Sequence, residues 1–421
     1  MVVAVGEGRV CGRLYAMKEE RSSETVGPPA GTATSSLEKR IRRHLIGKPQ
    51  RFFAATLPGL ETLCGDEVSR LSPTVTDIET TEGGVGFTGR LHDGMAANLH
   101  LRTAGRVLLR AAELRATSFR TLERLLAEIP FELYLFSGET PTFSVTTGHC
   151  RLYHTDAIAE RCERGIRERL RAAKAPPGAA PRPPQTVHVR GVDDGFTLSL
   201  DSSGEPLHKR GLKTDVGPAP LRETLAAAIL LRCGYTGHEP LLDPLCGSGT
   251  FALEAAMLAR GVPPGWHREF AFQGWPSFQP GRWTSLRREA ERSVREMGET
   301  VVFSSDRDPR ACERLRRTVA EHGLERVISV READVFEVQP PGGKPGLVVL
   351  NPPYGRRLGS SGTTGRFVSD LSRHLLRSFR GWRYAMLVPE SARSAASMLA
   401  PEVTRLHHGG LWLSLLTGVV L

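Results

Sequence analysis

At 421 residues the chain is two to three times the roughly 150-residue unit of a typical domain, so more than one packed unit is expected. Its 40% apolar and 24% charged residues, with 16 Phe, 6 Tyr and 5 Trp, provide for sizeable cores and exclude a wholly disordered or collagen-like chain. Lysine and arginine number 56 against 46 acidic residues, and the resulting +10 favours a polyanionic partner without saying which.

Residues 1–50 hold few large apolar side chains: a Ser/Thr/Gly/Pro stretch from Ser22 to Ser36 precedes Lys39, Arg40, Arg42, Arg43 and Lys48, with Arg51 just beyond. They read as a disordered basic tail, its charges either a solvated surface or an RNA contact, and Met17 is an alternative start. Met1–Val10 lacks the apolar stretch of a secretory signal, and no later segment approaches the ~18 uninterrupted apolar residues of a membrane span, so a soluble cytoplasmic protein is expected. From Phe52 the texture becomes alternating runs and amphipathic segments, with a helix predicted over Leu57–Leu71 and a strand at Val85–Phe87. Gly84, Gly86 and Gly89 spell GxGxxG, yet Val85 and Phe87 alternate as in a strand and no helix opens at the third glycine, so the segment reads as a hairpin.

Ile158, Cys162, Ile166 and Leu170 recur every fourth residue, the buried stripe of a helix whose other faces carry Arg161, Arg164, Arg167, Arg169 and Arg171. Of these, Arg161, Arg164, Arg167 and Arg171 are candidates for phosphate contact, as are Lys209 and Arg210 farther on, although His208–Arg210 reads equally as a salt-bridged hinge. Ala175–Pro184 is rich in proline, but Val187–Val189 and Phe196–Leu200 flank an Asp194–Gly195 turn, which keeps that stretch as a loop inside the first module. After Gly211 strand and helix alternate through Pro240–Pro244, Thr250–Arg260, Val301–Ser305, Pro309–His322, Val327–Arg331, Gly346–Leu350, Phe367–Phe379 and Tyr384–Val388. That order predicts a mostly parallel sheet covered by helices, with ligands at the carboxyl ends of its strands. The seven cysteines are scattered and form no CxxC pair, so reduced thiols and no metal site are expected.

The chemistry is concentrated at three strand ends. Asp243, Pro244, Leu245, Cys246, Gly247, Ser248, Gly249 and Thr250 lie between an apolar strand and an apolar-striped helix. Glycines there let the backbone approach a ligand, the free amides of the helix start favour an electronegative group, and Asp243 can hold a cationic or hydroxyl part. Asp306 ends the next strand and can accept from two ribose hydroxyls, although Asp308 competes for that role and also suits the N-cap of a helix starting at Pro309. Their distance from the glycine loop, with residues 262–298 between, argues against a nicotinamide enzyme. Asp334 follows the third strand, either as an acceptor for an adenine amine or as a solvated turn acid. Asn351, Pro352, Pro353 and Tyr354 end a fourth strand; prolines fix the backbone so that the Asn351 side chain and the Pro352 carbonyl act as paired acceptors, with Tyr354 as a flat wall. Such a pair suits an exocyclic base amine, restoring its lone-pair character and aiming it at an electrophilic methyl group.

The ordered segments "ATLPGLE" at 55–61, "GGVGF" at 83–87, "HKRG" at 208–211, "APLRETLAAAI" at 219–229, "LLDPLCGSGTFALEAAMLA" at 241–259, "SDRD" at 305–308 and "NPPYGRRL" at 351–358 resemble the bacterial 23S ribosomal RNA guanine-N2 methyltransferases that carry a THUMP domain. The resemblance runs from Phe52 to near the C-terminus and extends to the THUMP-containing transfer RNA enzymes. It implies an α/β chain: a Rossmann-like class I methyltransferase domain at 211–421 with a mostly parallel seven-stranded sheet, preceded at 51–210 by an α+β ferredoxin-like and THUMP RNA-binding module. It further implies S-adenosylmethionine held by Asp243–Thr250, with Asp306 on its ribose and Asp334 near its adenine, and a target guanine held by Asn351–Tyr354. Leu212 departs from the pattern, standing where relatives often carry an aromatic residue, and longer members have a second methyltransferase domain.

Residues 262–283 gather Trp266, Phe270, Phe272, Trp275, Phe278 and Trp283, either a base-stacking platform or a packed lid. The expected activity is methyl transfer to guanine N2 in structured RNA, preferably 23S, with neither metal nor strong base required. The rivals are a transfer RNA target, adenine N6, a protein glutamine amide, and a non-catalytic RNA-binding factor.

Overall fold

Short alternating runs after Gln50 build the first of two sheets in the computed structural model, which describes residues 33–178, 183–213, 221–353 and 361–421. Residues 1–32 of the expected tail, 179–182 of the proline-rich loop and Tyr354 lie outside the described residues. The expected disordered tail is corrected where the description begins: Ala33–His44 is a helix (α1). Leu37, Ile41 and Leu45 fall on one side of it, pack on the core, and are reinforced by Arg40, which donates to Glu132 at 2.5 Å. The basic run had masked this sparse apolar spacing.

Strands β1 (Gln50–Thr56), β2 (Thr76–Thr81), β3 (Gly84–Gly89), β4 (Ala104–Arg115), β5 (Thr142–Gly148), β6 (Thr186–Val192) and β7 (Gly195–Asp201) form one sheet in the order β2-β3-β1-β4-β7-β6-β5. Helices α2 (Glu61–Ser69), α3 (Leu91–His100), α4 (Phe119–Leu126) and α5 (Thr155–Ala172) accompany it. The GxGxxG glycines all lie on β3, as the alternation predicted; a Cβ on Gly84 would stand 2.5 Å from the Ala54 carbonyl, so close strand approach accounts for that glycine. β6 and β7 pair antiparallel around Asp193 and Asp194, whose φ of 49° and 61° matches the strand twist of a tight hairpin. The turn is one residue earlier than the sequence suggested.

The second sheet contains β8 (Leu241–Asp243), β9 (Val302–Asp306), β10 (Ile328–Glu332), β11 (Leu347–Leu350), β12 (Arg383–Pro389), β13 (Glu402–His408) and β14 (Leu411–Val419), ordered β10-β9-β8-β11-β12-β14-β13. It is mixed. Pairing is parallel from β10 to β12 and antiparallel at β12–β14 and β14–β13, so the expectation of a mostly parallel sheet is corrected by the C-terminal hairpin, whose strands the sequence reading did not identify. Helices α6 (Glu223–Arg232), α7 (Thr250–Arg260), α8 (Pro280–Arg292), α9 (Pro309–Glu321) and α10 (Ser361–Ser378) complete this Rossmann-like unit.

The modules share a core. The aromatic insertion is packed, as the second reading had it, and is not a stacking platform, although its partners lie in the first module: Trp266, Phe270, Phe272, Trp275 and Trp283 are buried. Trp275 donates to Gln185 at 2.8 Å and meets Tyr134 edge-on, while the amides of Gly265, Phe272 and Ser277 donate to carbonyls of Leu99, Ser202 and Leu133. Beside it, Arg210 donates to Glu254 of α7 at 2.9 Å and to the Leu207 and Arg102 carbonyls, while Arg102 lies 3.7 Å from Glu254 and donates to the Val262 carbonyl.

Candidate functional site

Parallel strands deliver their carboxyl ends to one rim, and that rim collects the predicted residues. β8 ends on Asp243, which is 1% exposed, and neither of its carboxylate oxygens has a hydrogen-bond partner in bonding geometry. Burial and then the nearby Asp306 push its pKa up to about 8, with the Leu245 amide and the Lys213 ammonium opposing the shift. A buried, unpartnered carboxyl is costly unless a ligand supplies donors, which fits the cationic or hydroxyl contact expected of it.

The following loop is built around Gly247 and Gly249, with φ of 52° and 76°. Gly249 caps α7, and a Cβ there would lie 2.2 Å from Leu315 of α9, so both its backbone angle and its packing demand glycine. Thr250 opens α7, bringing the helix's unsatisfied first-turn amides to the rim. Cys246 contributes its backbone, donating to the Ser305 carbonyl at 3.0 Å, while its thiol is buried and donates to the Gly247 carbonyl at 3.9 Å. Pro244 is buried and Ser248 half-buried in the same loop.

Asp306 ends β9 and ties this loop down, accepting from the Gly247 amide at 2.9 Å and the Asp308 amide at 3.0 Å. Asp308 accepts from the Arg310 amide as the N-cap of α9, so the helix start claims it and leaves Asp306 as the carboxylate beside the glycine loop. Asp334 follows β10 half-buried and accepts from the Phe336 amide in a local turn. Asn351 continues β11, which neighbours β8; its buried Oδ1 has no partner, and Pro352 is buried while Pro353 is half-buried. The rim therefore joins Asp243, Asp306, Asp334 and Asn351 on four neighbouring strand ends.

Lys213 is a site residue that sequence reasoning missed. Its ammonium donates to Thr250 Oγ1 at 2.6 Å and pairs with Glu223 at 2.9 Å, bracing the start of α7 from a nearly buried position. The only signal was its place in the His208–Lys213 run, where charge had suggested surface. Phe336 was missed as well; it stands partly exposed at the rim, edge-on to Phe367 at 5.7 Å.

The candidate RNA contacts separate. Arg210 is 3% exposed and spent on Glu254 and two carbonyls, so it is a strut between modules, and its assignment to RNA is corrected. Lys209 is exposed and paired with Glu205. On α5 the four apolar residues are buried as predicted, but Arg161 and Arg164 both bind Glu123 and Arg167 binds Glu163, which neutralises part of the proposed face and leaves Arg171 exposed at its end. Among the described residues no cluster of three or more His, Cys, Asp or Glu side chains could hold a metal ion, and no helix is long and apolar enough to cross a membrane.

Comparison with known proteins places this arrangement in a family. Residues 210–409 match the family described as RMKL-like, methyltransferase domain, and residues 51–108 match the RlmL ferredoxin-like domain. The "Ribosomal RNA large subunit methyltransferase K/L" of Marinobacter nauticus is 33% identical over 82% of the chain, and that of Psychromonas ingrahamii 34% identical over 81%. The chain spans about half of each, 49% and 46% of their lengths. "Putative RNA methyltransferase slr0064" of Synechocystis sp. is 31% identical over 79% of the chain and 86% of its own length. Among solved structures, "SMU.472, a putative methyltransferase complexed with SAH" superposes with a TM-score of 0.79 at 26% identity, covering 89% of the chain and 99% of the other. A "predicted N6-adenine-specific DNA methylase" from Listeria monocytogenes superposes with a TM-score of 0.78 at 29% identity, covering 88% and 96%. The chain belongs to the family of RNA methyltransferases in which an RlmL-type ferredoxin-like domain precedes an RMKL-like methyltransferase domain.

Proposed function

We propose that the protein transfers a methyl group from S-adenosylmethionine to the exocyclic N2 of a guanine in 23S ribosomal RNA, acting in the cytoplasm. The observation that carries the reading is the pair of buried, unpartnered acceptors, Asp243 and Asn351, at the carboxyl ends of adjacent strands around a glycine loop. The relatives' names as large-subunit ribosomal RNA methyltransferases and the SAH complex of a neighbouring structure support it.

When bound, S-adenosylmethionine supplies an electrophilic methyl group at this rim. Asp243 would accept from its ammonium, the α7 start and the Gly247–Gly249 backbone would receive its carboxylate end, and Asp306, which holds the Gly247 amide, would accept from the ribose hydroxyls. Asp334 would accept from the adenine amine. Asn351 Oδ1 and the Pro352 carbonyl accept the two N2 protons of guanine, turning the nitrogen lone pair toward the methyl group, and Tyr354 walls the base. Positioning of this kind supplies the rate; the methylated amine is acidic enough to lose its proton without a dedicated base. Residues 51–210, a ferredoxin-like and THUMP module, capture structured RNA, and residues 211–421 perform the transfer.

The test is incubation with isotopically labelled S-adenosylmethionine and separate unmodified 23S, 16S and transfer RNA pools, followed by nucleoside mass spectrometry. N2-methylguanosine confined to 23S RNA is expected. Label in transfer RNA would change the substrate. The adenine N6 specificity named for the Listeria neighbour gives a second reading, for which N6-methyladenosine is the readout.

A further inference from the structure

The β13–β14 hairpin reverses at Gly409 and Gly410, with φ of 60° and 77°, and its last register pairs set His407 opposite Trp412 and His408 opposite Leu411. β14 runs antiparallel to β12, and Leu413 pairs with Pro389, so Trp412 lies just past the carboxyl end of β12. That is the rim to which β11 delivers Asn351, two strands across and three residues along, and thus about 14 Å away in the sheet. Trp412 is 63% exposed, whereas Trp266, Trp275, Trp283 and Trp382 are 8% exposed or less. Its ring meets that of His407 at 5.1 Å between centroids and 58° between planes.

The same face carries charge. Arg405, two residues before His407 on β13, donates to Glu390 at 2.8 and 3.1 Å, and Arg393 lies 3.6 Å from the same oxygen. Two guanidiniums thus share one carboxylate and leave positive charge beside an open aromatic pair. An aromatic face next to unneutralised arginine suits a nucleotide, whose base stacks while its phosphate finds a cation.

We propose that Trp412 and His407 form a stacking subsite for an unpaired RNA base flanking the methylated guanine, with Arg393 and Arg405 on its phosphate. The inference rests on the RNA methyltransferase reading above and adds a residue that positions the substrate at the same rim.

The full chain is titrated with single-stranded oligouridylate while its tryptophan emission is followed, and kinetics are measured on unmodified 23S RNA. Because the other four tryptophans are buried, the long-wavelength emission reports Trp412. Quenching by oligouridylate is expected, and Trp412→Ala should remove it and raise the KM for RNA about tenfold, with kcat and calorimetric S-adenosylmethionine affinity within twofold of the wild type. Trp412→Phe should restore most of the RNA affinity. An unchanged KM in Trp412→Ala, with the wild type active on RNA, overturns the subsite and spares the functional reading. An altered sedimentation of the variant with unaltered RNA affinity overturns it in favour of a protein contact. Wild-type quenching that vanishes in Trp412→Ala, without methyl transfer to any RNA, supports the stack and overturns the chemistry.

Discussion

Removing the Asp243 carboxylate from water is compensated by no donor in bonding geometry, so its proton becomes part of the binding reaction. The ordinary carboxyl titrates near 3.8 and the folded one near 8, so between those values the folded ligand-free protein holds the extra proton and this group's contribution to stability falls as pH rises. An ammonium placed on the carboxylate reverses the preference. S-adenosylmethionine affinity should therefore rise with pH toward 8, with proton release below it, measured by calorimetry in buffers of different ionisation enthalpy; Asp243→Asn should flatten the dependence. Asn351→Ala should lower the transfer rate by about 10²–10³ while cofactor affinity persists, and near-normal turnover would sink the role given to that side chain. Asp306→Ala strips the Gly247 and Asp308 amides of their acceptor. Its cofactor affinity should fall by at least about tenfold, a loss of ~1.4 kcal/mol, in the same calorimetric experiment.

Among the elements, α7 depends on a single position at its start. At Gly249 an alanine meets both a left-handed backbone and a Leu315 methyl group 2.2 Å away, so Gly249→Ala should cost about 1–3 kcal/mol, read as a lowered Tm, and weaken cofactor binding with it. This loop was legible in the sequence because glycines, an acidic strand end and an apolar helix stripe are local features, and α7 has the predicted bounds, Thr250–Arg260. The Asp306 and Asn351 strand ends were legible for the same reason. What was not legible depends on partners distant in sequence. Lys213 is defined by Thr250 and Glu223, Arg210 by Glu254, and the arginines of α5 by Glu123 on α4. Charge alone marks all of these as surface, and only packing reveals which are braces. β13 escaped because this partly exposed edge strand, with Arg405, His407 and His408, lacks the apolar density of the central strands, and the apolar β14 escaped because its antiparallel place between β12 and β13 breaks the strand–helix alternation that marked the others.

For the molecule as a whole, one continuous apolar core reaches from Phe52 and Leu109 of the first sheet through the insertion's Phe272 and Trp275 to Phe251 of α7. Calorimetric unfolding should accordingly show one cooperative transition, and Trp275→Ala, which removes the Gln185 and Tyr134 contacts, should lower it or split it in two. Glu254→Gln removes the only carboxylate paired with Arg102 and Arg210 among the described residues, and should destabilise by about 3–5 kcal/mol in the same measurement. The same buried triad restricts how such a protein can be rearranged in evolution. Arg102 comes from the first module, Glu254 from the second, and Arg210 from the segment joining them. A recombination that replaced either half with one lacking its member of this trio would strand a charge in a dry interior, so a chimera of two homologues should fold only if its halves bring matching members of the trio.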